Sequence, residues 1–169
     1  MKNMPQHLFS GMLLSGLFIS ILLSGCSGSK QAAASAVSKE TITESVNKGE
    51  WVFTANYVMP QSGRSRSTNG VYTVTYSANV FVVYLPYFGK AYTASIGSSQ
   101  GPLDFKTSDF DLAKEQKKDG QWSLEIKPKD YKEVQSMNFT LYDNGSADLN
   151  VTLTNRSPIS FRGNIAPKK

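Results

Sequence analysis

From Trp51 onward, apolar and polar residues alternate with a period of two, the spacing that puts one face of a strand in a core and the other in water. Trp51, Phe53, Ala55 and Tyr57 alternate with Val52, Thr54, Asn56 and Val58, and Pro60 ends the run. Residues 61–69 form a polar loop, after which Tyr72, Val74 and Tyr76 alternate with threonines. Residues 80–85 (VFVVYL) are apolar on both faces, which predicts a central strand. Residues 91–96 predict another strand and 97–102 a break, with Phe105, Phe110 and Leu112 in two short strands joined near Thr107. The last third is the most regular. Trp122, Leu124 and Ile126, then Met137, Phe139 and Leu141, then Ala147, Leu149, Val151 and Leu153 each alternate with polar residues, and Ile159, Phe161 and Ile165 complete the series. Asp119-Gly120 and Asn144-Gly145 supply hairpin turns, because these pairs tolerate positive φ.

Ahead of Trp51 the period changes. Val37, Ile42 and Val46 make a narrow stripe along residues 37–48, and Gly49 is placed to stop a helix. With no strand–helix alternation and no internal repeat, the pattern predicts an all-β domain over 37–169, preceded by one short N-terminal helix. About eight strands in sequential hairpins bury their apolar faces either as a single antiparallel meander barrel or as a two-layer β-sandwich.

Upstream of the domain the chain reads as an export signal. Lys2 and the amino terminus give a positive start, residues 9–23 (FSGMLLSGLFISILL) an apolar stretch, and Ser24-Gly25 small residues before Cys26. The stretch is shorter than the ~20 apolar residues a membrane-spanning helix needs. Leu23-Ser24-Gly25-Cys26 resembles the lipobox of bacterial lipoproteins. That resemblance implies cleavage after residue 25, a diacylglycerol thioether on Cys26, and a further acyl chain such as palmitate on the new amino terminus. Several buried acyl chains at ~0.8 kcal/mol per methylene make such an anchor stable. Residues 26–36, with SGSKQAAAS at their centre, have a tether's composition and a root-mean-square reach of about 18 Å. The domain is therefore expected in the cell envelope, close to its membrane. Ser27 rather than Asp after the cysteine points to the outer membrane, and the lack of a following acidic cluster to its periplasmic face.

Composition narrows the chemistry. Eighteen basic and 13 acidic residues give a net charge of +5, but the lysines are interspersed with acids, as in Lys114, Glu115, Lys117, Lys118 and Asp119, so nucleic acid is not an expected partner. The one cysteine is Cys26 and the one histidine is His7, so the processed chain has no imidazole and no free thiol. The usual acid–base and nucleophilic groups at neutral pH are thereby missing. So are His or Cys ligands for zinc, copper or haem, and no catalytic residues, metal or cofactor are expected. Asp109 and Asp111 are the nearest thing to a glycosidase pair, but at i and i+2 they merely share one strand face opposite Phe110 and Leu112, as a solvated edge does, and no glycine sits at the bend a calcium loop requires.

Two segments carry a family resemblance. Tyr84-Leu85-Pro86-Tyr87-Phe88-Gly89-Lys90-Ala91-Tyr92 looks like the central motif of an uncharacterised family of Bacteroides-type envelope lipoproteins, domain of unknown function 4251. Asp143-Asn144-Gly145-Ser146-Ala147-Asp148-Leu149 and Asn155-Arg156-Ser157-Pro158-Ile159-Ser160-Phe161-Arg162-Gly163 fit its tail. Pro158 departs from it, standing where the family more often has a polar residue. The resemblance implies a single β-rich exported domain and brings no catalytic residues.

Candidate ligand-binding residues follow from side-chain chemistry. Arg64 and Arg66 lie among hydroxyls in the 61–69 loop, with Arg156 on a distant hairpin; guanidinium groups suit anions and sugar acids. Tyr84, Tyr87, Phe88 and Tyr92 gather around Pro86 and Gly89, where rings can stack on a ligand or close the end of a barrel. The expected function is non-catalytic binding of an envelope ligand or protein partner. The alternatives are a lipocalin-like carrier of a small apolar molecule and a structural or inhibitor-type protein acting through a strand edge.

Overall fold

The structure, a computed structural model, describes residues 37–92 and 101–169. The signal segment, Cys26, the tether and most of the strand expected over 91–96 lie outside the described residues. Ala91 is described; it forms an isolated antiparallel bridge with Arg156.

The helix forms as its sequence predicts. In α1 (Lys39–Lys48) the Ser38 hydroxyl accepts from the Thr41 N–H, satisfying one of the donors every helix start leaves open. At the other end Gly49 adopts φ 72°, and its amide bonds back to the Ser45 carbonyl. A Cβ there would also strike the Tyr76 ring, so turn and packing both require glycine. Ile42 and Val46 are buried, while Val37 is 44% exposed and outside the helix.

Among the described residues ten strands follow: β1 (Trp51–Pro60), β2 (Arg66–Ser67), β3 (Thr73–Ser77), β4 (Val80–Tyr84), β5 (Asp104–Thr107), β6 (Phe110–Lys118), β7 (Gln121–Pro128), β8 (Val134–Tyr142), β9 (Ser146–Leu153) and β10 (Ile159–Pro167). They make one antiparallel sheet in the order β5-β4-β3-β1-β10-β9-β8-β7-β6, with the short β2 added to β1. The first and last of these strands lie side by side, so the meander runs around the sheet and, among the described residues, is interrupted between β5 and β6, which form no ladder. The result is a curled half-barrel, one continuous sheet instead of two stacked layers.

Inside the curl, rings from distant strands meet. Trp51 on β1 packs edge-on against Phe139 on β8 (5.3 Å), Tyr76 on β3 (5.9 Å) and Phe81 on β4 (6.2 Å). Phe110 on β6 reaches Phe81 on β4 at 4.9 Å, joining the two ends of the sheet without hydrogen bonds. Full burial of each such side chain contributes roughly 1.5–3 kcal/mol. The Trp51 indole N–H is buried among the described residues without an oxygen or nitrogen acceptor.

Three expectations are corrected. β4 is not central: it is second from one end of the sheet, and of its residues Phe81 and Val83 are buried while Val82 and Tyr84 are 45% exposed. The strand begun by Phe110 and Leu112 is not short; β6 runs nine residues, nearly all exposed. The polar loop 61–69 contains β2, held where a bulge in β1 between Ala55 and Tyr57 lets the Asn56 carbonyl accept from the Thr68 N–H.

Candidate functional site

The two sequence segments that carry the family resemblance fold against each other at one end of the sheet. β4 runs into residues 85–92, which cannot continue as a strand because Pro86 lacks a donor and Gly89 packs too closely. A Cβ on Gly89 would overlap the Tyr87 hydroxyl, so only glycine fits. From β9 the chain turns back to β10 through Asn155, Arg156, Ser157 and Pro158. The Ser157 N–H donates to the Lys90 carbonyl and the Tyr92 N–H to the Asn155 carbonyl, both at 2.9 Å.

Tyr87 and Ser157 lock this crossing. Tyr87 Oη lies 2.9 Å from the Ser157 carbonyl oxygen and 3.0 Å from the Lys90 carbonyl oxygen, so its O–H donates to main chain of both segments. Ser157 Oγ, at 3.1 Å from Tyr87 Oη, also accepts from the Lys90 N–H at 3.0 Å. A hydroxyl can donate once and accept twice, so Ser157 suits this role where alanine would not. Ser157 is 3% exposed, one of the few buried polar side chains of the described residues.

Arginines cover the rings. The Arg156 guanidinium sits 5.5 Å from the Tyr87 ring centre, and its Nε is 3.8 Å from Glu133 Oε2. Arg66, on β2, sits 4.7 Å from the centre of the Phe88 ring, which stays 42% exposed. Each stack is worth about 0.5–1 kcal/mol at an exposed surface. Beside Arg156 a cleft of about 210 Å³ is lined by Lys132, Glu133, Thr154 and Asn155. Nearby, Tyr131 stacks flat on Phe105 at 4.1 Å and donates to the Pro102 carbonyl, and burial raises its phenol above the ordinary value.

Of the residues singled out in the sequence, the structure thus joins Tyr87 with Arg156 and Phe88 with Arg66. Tyr92 is 69% exposed beside Asn155. Tyr84 stands apart on the outer face of β4, tilted against Tyr72 at 5.4 Å, and Arg64 stays on the exposed loop before β2. Ser157 was not singled out; a small polar residue before a strand gives no sign that it will be buried. The chemistry on display is aromatic and cationic: ring faces, guanidinium donors and main-chain carbonyls already satisfied. Among the described residues no three His, Cys, Asp or Glu side chains come close enough to hold a metal ion. Asp111 is an exposed partner of Lys129 at 2.5 Å, which raises the Lys129 ammonium above its ordinary value.

No curated protein matches the chain. Among solved structures it is similar to a DUF4251 family protein from Bacteroides eggerthii, with 16% identity, a TM-score of 0.54, and alignment covering 81% of this chain and 92% of that one. At that identity the likeness establishes the fold. The family model described as domain of unknown function (DUF4251) matches residues 33–165, a span that includes the helix, nearly the whole sheet and both halves of the Tyr87–Ser157 crossing, and the chain belongs to the DUF4251 family.

Proposed function

We propose that the protein is an exported lipoprotein, lipid-anchored through Cys26, whose β-domain recognises a ligand or partner in the cell envelope without catalysing a reaction. The observation that carries this reading is the braced apex. Main-chain and side-chain bonds from two distant segments fix the backbone, yet Phe88, Tyr92 and the stacked Arg66 remain exposed. Order at the backbone with aromatic and guanidinium groups at the surface lowers the entropy cost of association and offers the residue types that dominate binding energy. Aromatic rings meeting across the curl favour recognition at the surface over carriage of an apolar molecule inside. The export segment and Leu-Ser-Gly-Cys sequence support the anchor, and Ser27 an outer-membrane position facing the periplasm.

Two measurements test this. Radiolabelled palmitate fed to the host cell is expected to enter the wild-type protein and not Cys26→Ala; equal labelling, or none in either, overturns the anchor. A photo-crosslinking residue placed at Phe88 in the cell is expected to yield one discrete adduct that Arg66→Ala reduces. Absence of any adduct, or turnover of glycan, ester or peptide substrates by the purified chain, overturns recognition without catalysis.

A further inference from the structure

Away from the core, the outer face of the sheet carries polar side chains in rows set by strand register. One row crosses β8, β9, β10 and β1 as Thr140, Asp148, Arg162 and Tyr57; the next runs Asn138, Asn150, Ser160 and Met59. Where the rows reach β1, the twist of the sheet and the chain around Pro60 and Pro158 enclose an open groove of about 570 Å³, lined by Thr140, Asp148, Asn150, Ser160, Arg162 and Met59 among others.

The polar groups in this groove are already oriented by one another. Ser160 Oγ donates to Asn150 Oδ1 at 2.6 Å, which leaves the Asn150 amide N–H groups as donors. Arg162 Nε donates to Asp148 Oδ1 at 3.0 Å, leaving the second carboxylate oxygen as an acceptor and the terminal guanidinium nitrogens as donors. Asp148 and Arg162 are the charged residues of the lining, and they neutralise each other. Met59, Pro60 and Pro158 give the groove apolar borders, and Tyr57, cross-strand from Arg162, is a 52% exposed ring beside it.

We propose that this groove is a binding site for a neutral saccharide. A sugar ring presents hydroxyls that donate and accept around its edge and C–H groups on its faces, which matches paired donors and acceptors beside a ring and aliphatic borders. The balanced charge gives an anionic ligand no net attraction. β8, β9 and β10, which carry most of the lining, have ladder partners on both sides, so an extended peptide cannot add to them through its main chain. The lining shares no residue with Arg66, Tyr87, Phe88, Tyr92, Arg156 or Ser157 of the apex, so this proposal does not rest on that one.

The test is calorimetric titration of the full chain, in detergent, with hexasaccharides of glucose, mannose, xylose and N-acetylglucosamine, and of galacturonic acid as the acidic counterpart. At least one neutral hexasaccharide is expected to bind. Asn150→Ala and the isosteric Thr140→Val should each weaken it about tenfold, as the loss of one hydrogen bond does, while Phe88→Ala leaves it unchanged. No neutral binding at millimolar concentration, binding indifferent to both groove variants, preference for the galacturonate, or loss of binding in Phe88→Ala would each overturn the assignment. Thr140→Val keeps side-chain shape and decides the matter if Asn150→Ala does not fold.

Discussion

At Tyr87 a single hydroxyl meets three oxygens, two of them belonging to Ser157, seventy residues further along the chain. Removing it takes the hydroxyl donor from the part-buried Ser157 carbonyl and leaves the Lys90 carbonyl with the Ser157 N–H alone, and an acceptor stripped of its donor is the expensive half of a hydrogen bond. Tyr87→Phe is therefore expected to cost about 1–3 kcal/mol in denaturant unfolding. Gly89→Ala places a methyl where that hydroxyl sits and breaks the same contact, so the double variant should lose clearly less than the two single losses added together. Two other tyrosines govern behaviour in alkali. Burial raises the phenols of Tyr76 and Tyr131 above the ordinary value near 10. The native chain then keeps protons that the unfolded chain releases, so their contribution is full below about pH 10 and is lost as pH rises toward the folded values. Burial lowers the Lys114 ammonium, which acts in the opposite sense as pH rises toward the ordinary lysine value. Comparing Tyr131→Phe with wild type cancels that contribution, and the variant should show a shallower loss of stability above pH 10.

Among the elements, how well each could be read from sequence followed how deeply it is buried. β7 to β10 have one face in the core along their length, so Trp122, Met137, Leu149 and Phe161 announce them. The helix carried its own punctuation in Ser38 and Gly49. β6 was half invisible because alternation records burial, and beyond Leu112 the strand buries almost nothing. β4 misled in the opposite way: Val82 and Tyr84 are apolar but face outward, so an apolar run looked central when it is not. The β1–β10 pairing left a different mark. A Cβ on Gly163 would run into the Thr54 carbonyl beside the bulge, so the two backbones approach more closely than any other residue allows. Gly163→Ala must push these strands apart, and a loss of about 1–3 kcal/mol, typical of overpacking, is expected as a lower melting temperature. An unchanged midpoint would show that the strands tolerate separation.

For the molecule as a whole, leaving β5 and β6 unpaired creates two strand edges, and the longer is blunted. Lys114, Lys117 and Lys118, with a bulge between Gln116 and Lys118, make β6 a poor template for a further strand. Lys114 also turns back to α1, donating to the Val46 carbonyl at 2.8 Å and to Asn47 Oδ1 at 3.1 Å, where a cation suits a helix end. Replacing Lys117 and Lys118 together by valine is expected to shift light-scattering mass toward larger species; an unaltered mass would mean the edge is protected by other means. Site and fold differed in legibility for a related reason. The residues Tyr87, Phe88 and Arg156 stood out by type, but no local pattern states that the β9–β10 turn will cross the segment after β4. That meeting depends on the curl of the sheet, as does the groove beside Arg162.

Because Trp51 and Pro167 are register partners on neighbouring strands, the covalent order of this domain and its spatial order differ by a rotation. The unladdered junction at Ser108, exposed and between two consecutive strands, is where the sheet itself begins and ends. A domain rewired to start there, with the residues after Pro167 joined to those before Lys39, would keep every strand pairing and turn this interrupted ring into a plain succession of neighbours from first to last.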